Sequence, residues 1–194
     1  MEPVPRPEWA SPIQVGVHVR SFYSALPEEP TREVLQALRD DSRLLSFLER
    51  HPLGRLEFSA RLPGPGWLGF YDPTTGDLTV NAFRAPDTFG LEFRPQGLES
   101  VSLAGGDLVQ AMKRTLYHEL GHHILKEAGP EEIRQIENLR RSGRAFPISK
   151  RARDGAWEYF AETYSAYRFE DSLADKDPDG YHMVEYMLGL LWNR

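Results

Sequence analysis

The spacing of apolar residues changes character several times along the chain. Residues 13–23, "IQVGVHVRSFY", alternate apolar and polar, which predicts a short strand. From Thr31 to about Arg50 the period becomes helical, with Thr31 as the cap and Val34, Leu35, Leu38, Leu44, Leu45 and Leu48 as the inner face. Strand character returns in "RLEFSARL" (55–62) and in "GWLGFYDPTTGDLTVNAF" (66–83). Within the latter, Pro73 presets φ and Gly76 accepts positive φ, so "WLGFY" and "LTVNAF" should pair as a hairpin. Residues 84–106 follow no period. Four helices are then expected. Asp107 caps one that runs to about Ala128, "PEEIRQIENLRRSG" (130–143) forms a second, "AWEYFAETYSAYRFED" a third, and Asp177-Pro178 opens a last one through "DGYHMVEYMLGLLW". Strands first and helices afterwards describe an α+β domain over 13–194, preceded by an extended proline-rich arm over 1–12.

The helix before Gly129 carries unusual chemistry. In "TLYHELGHHILKE", His118 and His122 are four apart, so they lie about 40° apart around the axis and roughly 6 Å along it, on one face. Two imidazoles so placed can converge on one ion, and Glu119 at the edge of that face can reach a water beside it. Leu116, Leu120, Ile124 and Leu125 make the helix strongly apolar, so its polar side chains need partners. Gly121 sits mid-helix at a cost of about 1 kcal/mol against Ala, which signals a close approach to the backbone. His123 points about 100° away and is read as structural or solvent-facing.

A catalytic zinc keeps three protein ligands and one open position. The extended pattern with a third His on the same segment fails here, because Leu125 and Ala128 stand where Gly and His would be required. Glu127, Glu131 and Glu132 follow too closely for the chain to turn back. Glu158 and Glu162 are again four apart, on an aromatic and alanine-rich helix where two carboxylates are costly unless neutralised. One can ligate the metal, and the other can accept from a ligand histidine's free N–H.

Composition narrows the chemistry further. The chain lacks cysteine, so disulfides, thiolate nucleophiles and Cys-ligated zinc are excluded, and any metal is held by His, Asp or Glu. A formal net charge of −6 gives no support for nucleic acid or anionic lipid as a partner. The opening "MEPVPRPEWASP" has neither a basic nor an apolar signal region, and no apolar run is long enough to span a membrane. The expectation is a soluble, cytoplasmic protein, with signal-independent export or packaging in a virion as alternatives. Arg140, Arg141, Arg144, Lys150, Arg151 and Arg153 form a basic loop, read as a solvated face or as an attractor of acidic substrate.

"HELGHH" followed about 35 residues later by "EYFAETYSAY" resembles the anthrax lethal factor-like branch of the zinc peptidases, over residues 107–192. That resemblance implies a zincin-like fold, with a small sheet packed against the active-site helix. It also implies one Zn2+ held by His118, His122 and Glu158, with Glu119 as general base and Glu162 buttressing a ligand histidine. The implied reaction is hydrolysis of a peptide or protein substrate lying extended beside an edge strand, either "LTVNAF" or "GWLGFY". One departure stands out. Where the family commonly has a Tyr that serves the oxyanion, seven residues before the ligand Glu, this chain has Arg151, a permanent donor and cation. The rival expectation is a weak or inactive zinc-binding module, since lethal factor-like domains occur among toxins and phage head-associated proteins. Spacing leaves the oligomeric state open.

Overall fold

The computed structural model describes residues 19–20, 28–59, 67–82 and 108–192. The strands are β1 (Val19–Arg20), β2 (Arg55–Ser59), β3 (Gly69–Asp72) and β4 (Asp77–Asn81). The helices are α1 (Glu28–Asp40), α2 (Ser42–Arg50), α3 (Leu108–Ala128), α4 (Pro130–Arg141), α5 (Ala156–Phe169), α6 (Leu173–Lys176) and α7 (Pro178–Trp192), with a single 3₁₀ turn at Arg151–Arg153. The architecture is α+β, and helix dominates the described residues. The arm expected over 1–12, the irregular stretch 84–106 and the capping role given to Asp107 lie outside them. No helix among the described residues is long and apolar enough to cross a membrane.

The sheet is mixed, in the order β1-β2-β4-β3. β1 and β2 are parallel, which requires a crossover, and α1 and α2 fall between them in the chain. The helical period read between the first two strand stretches thus falls in this crossover. β3 and β4 form the expected antiparallel hairpin, with Gly69 opposite Val80 and Asp72 opposite Asp77. Its turn works as read: Gly76 has φ +75°, and the Asp72 side chain accepts from the Thr74 N–H at 2.8 Å.

The single long helix expected from Thr31 to Arg50 is two helices. Pro30 fits in a first turn, so α1 begins ahead of it at Glu28, and Thr31 is buried inside the helix rather than capping it. The chain breaks at Asp41, whose carboxylate accepts the Leu44 N–H at 3.1 Å and caps α2. Arg168 of α5 pairs with the same carboxylate, tying the break to the site-bearing helices. Val34, Leu35, Leu38, Leu44 and Leu48 are in the core as expected, together with Phe47, while Leu45 is only partly buried against it.

The core runs between these helices, the sheet residues Leu56, Phe58, Leu78 and Val80, and the α3 residues Leu116, Leu120 and Ile124. α7 closes it with Val184, Met187, Leu188 and Leu191, so the apolar C-terminal stretch docks on its own domain. Asp177 opens α7 and is fully buried, accepting from the Tyr159 hydroxyl at 2.6 Å and from the Gly180 and Phe146 N–H groups at 3.1 Å. That carboxylate holds the loop before α5 against the helix bundle.

Candidate metal centre

Among the described residues, α3 packs most extensively on α5, and Gly121 sits in that contact. A Cβ at Gly121 would stand 2.8 Å from the Ala161 Cα. The glycine expected to mark a close approach therefore lets a second helix, not a ligand, pass its backbone. At that crossing, α5 lays the Glu158–Glu162 side of its surface over the His118–His122 side of α3.

His118 Nε2 and His122 Nε2 lie 3.2 Å apart. Glu158 reaches both, with Oε2 at 3.5 Å from His118 Nε2 and Oε1 at 3.7 Å from His122 Nε2. Donors about 2.0–2.1 Å from a tetrahedral ion stand roughly 3.3–3.4 Å from one another. The two nitrogens stand near that spacing, and Glu158 meets them through different oxygens, Oε2 towards His118 and Oε1 towards His122. Behind them, Glu162 Oε1 faces His118 Nδ1 at 3.4 Å. A carboxylate on that side favours the Nδ1–H tautomer and leaves the Nε2 lone pair directed at His122 and Glu158.

Two overlapping triads of donor atoms lie within 4.8 Å of one another: His118, Glu119 and His122, and His118, Glu158 and Glu162. They share His118, which is 1% exposed. Side-chain exposure rises from 4% at Glu162 through 12% at His122 and 24% at Glu158 to 44% at Arg151. The site accordingly opens at the Glu158–Arg151 side and is closed behind His118.

Burial sets the electrostatics. Desolvation holds His118 well below the usual imidazole range and lowers His122 to about 4, with the Arg151 charge adding to both. Both imidazoles are therefore neutral near pH 7, the form that donates a lone pair to a metal. Glu119 is buried, and desolvation pushes its carboxyl up to about 8 against the opposing pull of Arg151. Desolvation also raises Glu158. Buried carboxylates held this high are a standing demand for positive charge.

Arg151 answers part of that demand, donating to Glu158 Oε1 at 3.2 Å. The other oxygen, Oε2, is buried and accepts no hydrogen bond from the described residues. These nitrogen and oxygen donors are of the kinds that could hold a divalent cation. His118, His122, Glu158, Glu162, Glu119 and Arg151 all come together. Elsewhere in the basic loop, Arg140 and Arg141 pair with Glu137, and Arg144 pairs with Asp179.

His123 is structural and not solvent-facing. Its Nε2 donates to the His51 carbonyl at 2.8 Å, so Nδ1 is the acceptor and takes the Tyr71 hydroxyl at 2.9 Å. Tyr71 belongs to β3, and its ring also stacks near His122 at 6.5 Å between centroids. Two tyrosines of α5 are occupied elsewhere: Tyr159 donates its hydroxyl to Asp177, and Tyr164 is fully buried. Two residues that organise the site escaped the sequence reading, Gly69 and Tyr71. The glycine inside a strand pattern was the available signal.

Compared with models of protein families and with curated protein sequences, the chain matches none.

Proposed function

We propose that the protein is a zinc-dependent endopeptidase with His118, His122 and Glu158 as metal ligands and Glu119 as general base. The observation that carries this reading is the meeting of two imidazoles and one carboxylate from two helices, at 3.2–3.7 Å from one another, beside the further buried carboxylate of Glu119. When bound, zinc supplies a Lewis acid for the scissile carbonyl and for water. Everything else falls to the chain itself. The Glu119 carboxylate accepts a proton from the attacking water and delivers it to the leaving amine. Glu162 holds His118 in the tautomer that keeps Nε2 free for the metal. Arg151, at the open side, stabilises negative charge on the carbonyl oxygen. Substrate lies extended along β3. Of the two strands first considered, "LTVNAF" is ruled out as the edge because β4 sits between β2 and β3.

The resemblance to the lethal factor-like peptidases supports the same assignment. The rival, a zinc-holding module without activity, draws its support from Arg151, which stands where that family has a Tyr and engages the ligand carboxylate directly. The test is Glu119→Gln. The variant should retain one zinc per chain by elemental analysis and lose cleavage of a broad peptide library by at least about a hundredfold. A zinc-loaded unmodified chain that cleaves nothing in that library would favour the module. Absence of bound metal after reconstitution would end both readings.

A further inference from the structure

The geometry points to Gly69 as a positioning residue for Glu119. A Cβ built on Gly69 would stand 2.5 Å from Glu119 Oε1, 2.5 Å from Thr115 Cγ2 and 2.8 Å from Glu119 Cγ. All three distances are shorter than any real Cβ contact. Gly69 has no positive φ, so backbone conformation does not require the glycine there. What requires it is the seating of β3 directly on the α3 face that carries Glu119.

Neither side of this contact is free to retreat. Gly69 is paired with Val80 in the sheet. Two residues on, the Tyr71 hydroxyl is bonded to His123 of α3, which fastens the strand to the helix at a second point. Thr115 and Glu119 are buried on successive turns of that helix. The carboxylate is thus held between strand backbone and helix, with little choice of rotamer, before any substrate arrives. The inference rests on the reading of Glu119 as the base and adds that the strand offered to substrate also aims that base. Substrate register and the position of the base are coupled through one residue.

The test is a double-mutant cycle on metal-stripped protein, read as melting temperature. All variants carry Thr115→Ser, which deletes Cγ2 and leaves Glu119 as the remaining obstacle. Gly69→Ala should lower the midpoint by about 4 °C or more with Glu at 119, and equally with the isosteric Glu119→Gln. With Glu119→Ala the penalty should largely vanish. An equal penalty in the Gln and Ala backgrounds would overturn the proposal. In zinc-loaded protein, Gly69→Ala with Thr115→Ser should reduce kcat about tenfold relative to Thr115→Ser alone, with KM within about twofold and metal content unchanged. An unchanged kcat would also overturn it. A parent protein that cleaves no peptide refutes the reading of Glu119 as the base, while the melting cycle still decides whether Gly69 confines that side chain.

Discussion

Gly121 and Ala161 are the contact on which the candidate metal site depends: with a Cβ on Gly121 lying 2.8 Å from the Ala161 Cα, α3 and α5 could not approach as they do. The obstacle is backbone, which cannot swing aside. Gly121→Ala should therefore separate the helices, at about 1–3 kcal/mol of overpacking. The substitution regains about 1 kcal/mol of helix propensity, so the net loss of stability should be about 0–2 kcal/mol. Metal affinity should fall by at least about tenfold, because Glu158 recedes from both imidazoles. Titration against a competing chelator measures it, and unchanged affinity would show that the crossing does not control the donor spacing.

Glu162 touches the proposed ligand His118 from behind. Glu162→Gln should weaken zinc binding about 10–100-fold. The same change should leave the metal-stripped protein no less stable, since it removes one of several neighbouring buried carboxylates. A variant that loses affinity and also melts early would point to a folding role instead.

The pH dependence of metal-stripped protein has a worked sign. His118, His122 and His123 are all held below the imidazole value of 6.5, His122 at about 4. The unfolded chain then binds more protons, so their contribution is complete above about 6.5 and is lost as pH falls towards 4. Glu119 acts in the opposite direction. Raised from 4.5 to about 8, it contributes fully below 4.5 and loses that contribution as pH rises through 8. Between 4.5 and 6.5 the two oppose each other. Glu119→Gln removes one limb, so its melting temperature should fall more steeply over that interval than the parent's. Calorimetry in chelator at several pH values decides it, and equal slopes would mean that the Glu119 carboxyl is not raised.

Tyr71→Phe tests the link between strand and helix. It leaves His123 Nδ1 as a buried acceptor without its donor, at a cost of about 1–3 kcal/mol in urea denaturation. A neutral substitution would show that water replaces the hydroxyl.

Much of this centre was legible because helical spacing is local. His118 and His122 are four apart, as are Glu158 and Glu162, and residues so spaced share a helix face whatever the rest of the chain does. The convergence of the two pairs was a matter of chemical need, since buried carboxylates and imidazoles require partners. The β3–β4 hairpin was legible through Gly76, which a turn residue at positive φ demands. The break at Asp41 was hidden by continuous apolar spacing across it, although "DDS" carries the capping signal. The parallel β1–β2 pairing was invisible, because register between distant strands leaves no local period. His123 was half resolved: its direction followed from the helix, but its partners Tyr71 and the His51 carbonyl come from segments far away in sequence.

Division of the donors between α3 and α5 has a consequence for how the protein is made. The two histidines leave the ribosome about 35 residues ahead of Glu158, with α4 and the basic loop still to follow. Under the proposed ligand assignment, a nascent chain that stops short of α5 carries His118, Glu119 and His122 but lacks Glu158 and Glu162, so the full donor set waits until the later helix has docked. If the proposed site takes a cation, loading would report that α5 has been made and docked, and products truncated before Glu158 should bind the ion more weakly.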